Sequence, residues 1–289
     1  MNNHFLPVFS LDWIKRLEQL NTLEGDYGIL APFSCYDKLL DKIRNFDQPF
    51  LIDSGVFEKH NKSLYYQLNC EFKHEQWIRK FNLASENKLR KIIHNYLKRC
   101  NSFSPDFVFA PDIIGEPLIS LYLARLSWDE YWKEHRNYHL IGVVQMGAIL
   151  YNWKEKSVPS QDSFLPYYNS PKSYLSSLIS EYKNIGYKYL ALGGLLKLDK
   201  RKRTHLKFGL SVQELDNLLA WSRPDFVLGG LALSRLEVLK KHKVWADSAG
   251  WFWWNSCYEK RFKNRNVLQE IINFASHSSS IKQNSTFLL

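Results

Sequence analysis

The strongest constraint on how this chain folds is a regular alternation. Eight short runs rich in β-branched and aromatic residues are "LPVF" (6–9), "YGILAPF" (27–33), "PFLIDSGVF" (49–57), "DFVFAPDI" (106–113), "HLIGVVQMG" (139–147), "KYLALGGL" (188–195), "DFVLGGLAL" (225–233) and "KVWADSA" (243–249). Between them lie segments whose apolar residues recur at three and four positions, among them "SLDWIKRLEQL", "YDKLLDKIRNF", "ENKLRKIIHNYLKRC", "PLISLYLARLSWDEYWKEH", "SYLSSLISEYKNIG", "SVQELDNLLAWS" and "SRLEVLKK". Several strand runs are continuously apolar, which suits strands covered on both faces of a parallel sheet. Strands alternating with covering helices close most economically into a (β/α)8 TIM barrel, an α/β fold. A doubly wound open sheet is the other arrangement this pattern allows.

One domain is expected over residues 1–275, followed by a polar, loose tail at 276–289. The Ser-, Pro- and Asn-rich stretch 154–171 is expected to pass over the barrel mouth. "LGGL" occurs at 192–195 and again at 228–231, each time ending an apolar strand, and reads as one backbone requirement shared by two strands.

A chain of 289 residues with 45% hydrophobic content can pack one large core. No run approaches the roughly 18 apolar residues of a membrane span, and the start "MNNHFLPVFSLDW" lacks the pattern of a secretory signal. The expected location is therefore cytoplasmic, with no membrane partner. Cys35, Cys70, Cys100 and Cys257 show no paired spacing, so neither a disulfide framework nor a zinc site is indicated. His60, His205 and His242 have no metal-ligand spacing either, and no metal or cofactor is expected.

Charge points to a partner. With 39 Lys and Arg against 29 Asp and Glu, the formal net charge is +10. Such an excess favours a polyanion, nucleic acid first, although a solubilising surface has the same composition. "KLDKRKRTHLK" (197–207) concentrates Lys200, Arg201, Lys202 and Arg203 in a segment expected to be a loop along phosphates. A second basic group, "YEKRFKNRN" (258–266), contains Arg261.

Polar residues gather where a barrel enzyme keeps its chemistry, at the carboxyl ends of the strands. Asp53 and Ser54 end "FLIDS", Asp112 ends "FVFAPD", Gln145 ends "IGVVQ", Gly193 and Gly194 end "LALGG", Gly229 and Gly230 end "FVLGG", and Asp247 and Ser248 end "VWADS". A single acid in such a place is most simply an N-cap for the next helix. Three acids at equivalent strand ends point to a site. Paired carboxylates suit displacement at a sugar's anomeric carbon, one attacking and one moving the proton. Glycines admit a flat ring to the backbone, while a carboxylate and an amide, Asp112 and Gln145, complement the edge of guanine.

These residues resemble the tRNA-guanine transglycosylase superfamily. The family's Asp-Ser-Gly-Gly-Phe-Gln motif is similar to "DSGVFE" (53–58), its Gly-Ile-Val-Gln-Gly to "GVVQMG" (142–147) and its Ala-Leu-Gly-Gly-Leu to "ALGGL" (191–195). "FVLGGLAL" is similar to a later strand that borders the base pocket. Asp247 occupies the place of the family's nucleophile. The resemblance runs from about residue 27 to residue 250 and implies exchange of guanine in a nucleic acid for a 7-deazaguanine on a (β/α)8 barrel.

Carried over by position, it implies that Asp247 attacks the anomeric carbon and Asp53 is the general acid and base. Asp112 would grip the purine's N–H edge, Gln145 and Gly194 would contact its six-position substituent, and Ser54 would stand beside Asp53. The fourth-strand segment "APDIIGEP" matches the family only at its acid. Family members acting on tRNA carry a zinc-bearing extension of three cysteines and a histidine, whereas the corresponding region here contains only Cys257. Val56 stands where the family has its second glycine, and Glu58 where it has glutamine.

"WADSAGW" also departs from the tRNA enzymes. These differences place the resemblance nearest the deazapurine-in-DNA protein A branch. What that implies is a pentosyltransferase, a DNA-guanine transglycosylase using 7-cyano-7-deazaguanine or a relative, with helper proteins of a DNA-modification system as further partners. A guanine flipped from its stack would reach Asp247, and Trp251, Trp253 and Trp254 could support neighbouring bases or simply pack in the core. The rival readings are a zinc-free tRNA or RNA transglycosylase and a catalytically silent nucleic-acid-binding subunit, with a generic retaining glycosidase more remote.

Overall fold

The computed structural model describes residues 4–11, 14–35, 37–54, 83–113, 117–146, 170–195, 197–199, 204–206, 211–248 and 266–277. All eight expected strands form, and they close into a barrel. They are β1 (Leu6–Ser10), β2 (Gly28–Pro32), β3 (Phe50–Asp53), β4 (Phe107–Phe109), β5 (His139–Gln145), β6 (Tyr189–Gly193), β9 (Phe226–Val227) and β10 (Trp245–Ser248). Every neighbouring pair is parallel, in the order β1-β10-β9-β6-β5-β4-β3-β2. The protein is thus a (β/α)8 TIM barrel, and the open-sheet alternative is excluded.

Eight helices accompany these strands among the described residues: α1 (Ile14–Leu20), α2 (Asp37–Ile43), α3 (Leu83–Ser102), α4 (Pro117–Trp132), α5 (Pro171–Ile185), α6 (Val212–Ser222), α7 (Leu236–Lys241) and α8 (Val267–Ser276). Local chemistry fixes their ends. Ser170 caps α5 with Pro171 at its first turn, and Gly186 closes it at φ 119. Ser211 and Glu214 form a reciprocal capping box on α6.

The last helix lies between the basic group at 258–266 and the tail expected from 276, in a stretch where no helix is expected above. Asn266 accepts a hydrogen bond from the Gln269 amide at the start of α8, while Val267, Leu268, Ile271 and Ile272 are buried. Gln269 ties the helix to the loop before β2, donating to the Glu24 carbonyl at 2.7 Å and accepting from its N–H at 2.9 Å. The helix runs to Ser276, so residue 276 belongs to the barrel's outer layer.

The expected loop at 197–207 also differs. Lys197–Asp199 (β7) and Thr204–Leu206 (β8) pair antiparallel as a two-stranded ribbon, with Lys197 opposite Leu206 and Asp199 opposite Thr204. Three-residue strands are too short to show an alternation in sequence, which is why the segment reads as a loop.

The strand pleat divides the core in two. One cluster fills the barrel: Leu6 and Val8 of β1, Leu30 of β2, Leu51 of β3, Phe107 and Phe109 of β4, Ile141 and Val143 of β5, Tyr189 and Ala191 of β6, Phe226 of β9 and Trp245 of β10. The residues between them point outward into a larger cluster shared with the helices. Acids at the amino ends of strands are structural. Asp106 accepts from the Phe50 amide at 2.8 Å and Asp225 from the Leu190 amide at 2.9 Å, each stitching one strand to its neighbour. Among the described residues, no helix is long and apolar enough to cross a membrane.

Candidate active site

The interior face of each strand changes character as it reaches its carboxyl end. Along β1 the inward residues run Leu6, Val8, Ser10; along β3, Leu51 then Asp53; along β5, Ile141, Val143, Gln145; along β6, Tyr189, Ala191, Gly193; along β10, Trp245 then Asp247. Two layers of apolar side chains are therefore capped by one polar layer. The site is the top layer of the barrel's own core.

Asp247 is 7% exposed and is held by two donors. The Gly229 N–H donates to its Oδ1 at 2.5 Å, and the Ser10 hydroxyl donates to its Oδ2 at 3.1 Å. Burial and, less strongly, the field of Asp53 push the Asp247 carboxyl up to about 7, against the pull of those two hydrogen bonds. A second carboxylate lies across the mouth. Asp112 is 2% exposed, accepts from the Ser54 hydroxyl at 3.1 Å and accepts from the Gln145 amide. Burial, then the charge of Asp53, likewise raises Asp112 to about 7.

Asp53 thus acts electrostatically on both buried acids from the end of β3, and it is only partly buried. Its backbone is fixed by the Phe33 amide, which donates to the Asp53 carbonyl at 2.9 Å. Three acids from three strand ends share one electrostatic site, as the sequence pattern predicts. Among the described residues no group of His, Cys, Asp or Glu is arranged to hold a metal ion.

The two glycine pairs differ in what they do. Gln145 pairs in register with Gly193, and its carboxamide lies over Gly193 and Gly194. A Cβ on Gly193 would come within 2.5 Å of Gln145 Nε2, and Gly194 adopts φ +70 against Gln145 Oε1. The glycines make room for an amide of the protein, which in turn reaches Asp112. At the second pair the positive φ falls on the first glycine, Gly229 at +65, whose N–H serves Asp247. A Cβ on Gly230 would come within 2.3 Å of the Val227 side chain, so packing inside the turn leaves no room for one. The repeated "LGGL" letters therefore encode two different backbones, and the shared requirement expected above does not hold.

Ser10 is the site residue that the strand-end reading passed over. It falls to the adjoining helical segment there, one residue beyond "LPVF". The spacing Leu6, Val8, Ser10 carries the same signal as Leu51, Asp53 and Trp245, Asp247. Lys200, Arg201, Lys202, Arg203, Trp251 and Arg261 lie outside the described residues, as do Val56 and Glu58. The described part of the basic segment is the β7–β8 ribbon, which leaves the barrel just after Gly193 and so roots on the carboxyl-end face.

No family model and no curated protein matches this chain. Among solved structures, a protein assigned as a fructose-1,6-biphosphate aldolase from Coccidioides immitis is 10% identical with a TM-score of 0.48, covering 94% of this chain and 88% of its own. A likeness at that level carries no chemistry across, and the barrel rests on its own strand order.

Proposed function

We propose that the protein is an enzyme, a DNA-guanine transglycosylase that exchanges guanine for a 7-deazaguanine through a covalent aspartyl-sugar intermediate. The observation that carries this reading is the polar top layer, in which two buried carboxylates are held by separate donor pairs and share the field of a third. Division of labour follows from that arrangement.

Asp247, once ionised, uses a carboxylate oxygen to form a bond to the anomeric carbon. The bond from that carbon to the purine nitrogen breaks, its electron pair stays on the base, and Asp53 supplies the proton that neutralises it. Exchange of bases within the pocket and reversal of these steps returns the proton to Asp53 and frees Asp247, with configuration retained. Asp112 and Gln145 supply the acceptor and amide groups that fit a guanine edge. A carboxyl group raised to about 7 is divided between acid and base at neutral pH, and its ionised fraction is the form that attacks.

The net charge of +10 and the basic sequence "KLDKRKRTHLK" support a nucleic-acid substrate. They suit RNA equally well, and a zinc-free RNA transglycosylase is the second reading. The test is incubation with labelled guanine and either duplex DNA or tRNA, followed by a search for exchange and for an adduct surviving denaturation. Exchange into DNA with an adduct lost in Asp247→Asn is the expected result. Exchange into tRNA alone moves the assignment to RNA, and no exchange into either favours a silent binding subunit.

A further inference from the structure

We infer that Ser10 is a positioning residue for Asp247, a two-way hydrogen-bond partner that keeps the carboxyl group in one orientation in both its protonated and its ionised form. The role given to Asp247 rests on the transglycosylase reading; the Ser10 contact itself does not.

The chemistry of the two donors separates the two carboxyl oxygens. Gly229 offers a peptide N–H, which can only donate, so Oδ1 remains an acceptor in either state. Ser10 offers a hydroxyl, which can donate to an ionised Oδ2 or turn and accept from a protonated one. The proton of the neutral acid therefore belongs on Oδ2, and loss of that proton needs only rotation of the Ser10 O–H. No movement of either strand is required.

The backbone supports this role. β1 and β10 are hydrogen-bonded neighbours, with Val8 opposite Asp247 and Phe9 opposite Ser248, so Ser10 reaches Asp247 diagonally across one strand pair. Leu231 N–H donates to the Asp247 carbonyl at 2.9 Å, fixing the acid's main chain from the β9 side. Around Asp247, Ser10 from β1 and Gly229 from the turn after β9 are uncharged, and among the described residues Asp53 from β3 is the acid whose field reaches it.

The test is direct titration of the Asp247 carboxyl by carbon NMR in protein labelled at aspartate carboxyls, with Asp247→Asn assigning the signal. Wild type is compared with Ser10→Ala and Ser10→Thr, and no substrate is needed. Because the hydroxyl's bond to the ionised oxygen is charge-assisted and stronger than the one it makes with the neutral acid, Ser10→Ala is expected to weaken ionisation of Asp247 about tenfold, and Ser10→Thr is expected to restore it. An unchanged titration in Ser10→Ala overturns the inference, as does an equal shift in Ser10→Thr, which would assign the effect to packing. If Ser10→Ala does not fold, Ser10→Cys replaces it, and its weak thiol donor should give a smaller shift of the same sign. Base exchange is measured in parallel on the same proteins. A wild type that titrates as expected but exchanges no base overturns the transglycosylase reading and leaves the Ser10 assignment standing.

Discussion

A buried acid that is hard to ionise leaves a signature in stability as well as in chemistry. Asp247 is raised from its ordinary value of 3.8 to about 7, so the folded protein holds that proton more tightly than the unfolded chain does. The stabilising contribution is fully present below pH about 4 and is lost as pH rises through about 7. Asn at this position does not titrate, and its amide can accept from Gly229 and donate to Ser10, so the geometry survives. The stability of Asp247→Asn relative to wild type should therefore grow by on the order of 2 kcal/mol between pH 5 and pH 8. In thermal melts this is a change of about 5 °C in the difference of Tm values. A difference that stays constant with pH would mean that the folded protein holds the Asp247 proton no more tightly than an unfolded chain.

At the scale of elements, α8 shows what a helix contributes here and why it escaped notice. Its apolar residues Val267, Leu268, Ile271 and Ile272 form a helical stripe in plain view, preceded by Asn266 as a cap, but the adjoining run of lysines and arginines draws the eye to charge instead. The barrel strands were legible because they are uniformly apolar, and the acids because they interrupt that pattern at its ends. Ser10 was hidden by assignment to the next element, a one-residue boundary error of the kind to which a period of two is most sensitive. The β7–β8 ribbon was hidden by brevity, and the different roles of the two glycine pairs by their identical letters. Replacing Ile271, which is 1% exposed, by Ala should lower the unfolding free energy by about 2–5 kcal/mol in urea, with little change in the denaturant slope. A loss below about 0.5 kcal/mol would mean that Ile271 contributes no core packing.

For the whole molecule, the decisive arrangement is an acidic pocket in a basic protein. Three carboxylates converge inside the mouth, while the chain as a whole carries +10, and the sequence joining the two ribbon strands contains Lys200, Arg201, Lys202 and Arg203. A polyanion drawn to the surface is repelled by the pocket itself, so phosphates should settle on the rim and present a base or sugar to the centre. This separation makes a quantitative claim. Each phosphate neutralised by a lysine or arginine releases counterions, and the logarithm of affinity falls with the logarithm of salt by about 0.9 per contact for duplex DNA. Changing all four basic residues to Gln should therefore make that slope shallower by up to about 4 in a fluorescence titration of duplex DNA. The pH titration of Asp247, deep in the mouth, should be unaffected by the same change. An unaltered slope would assign the ribbon's charge to solvation alone, and an altered Asp247 titration would mean that rim and pocket are not electrically separate.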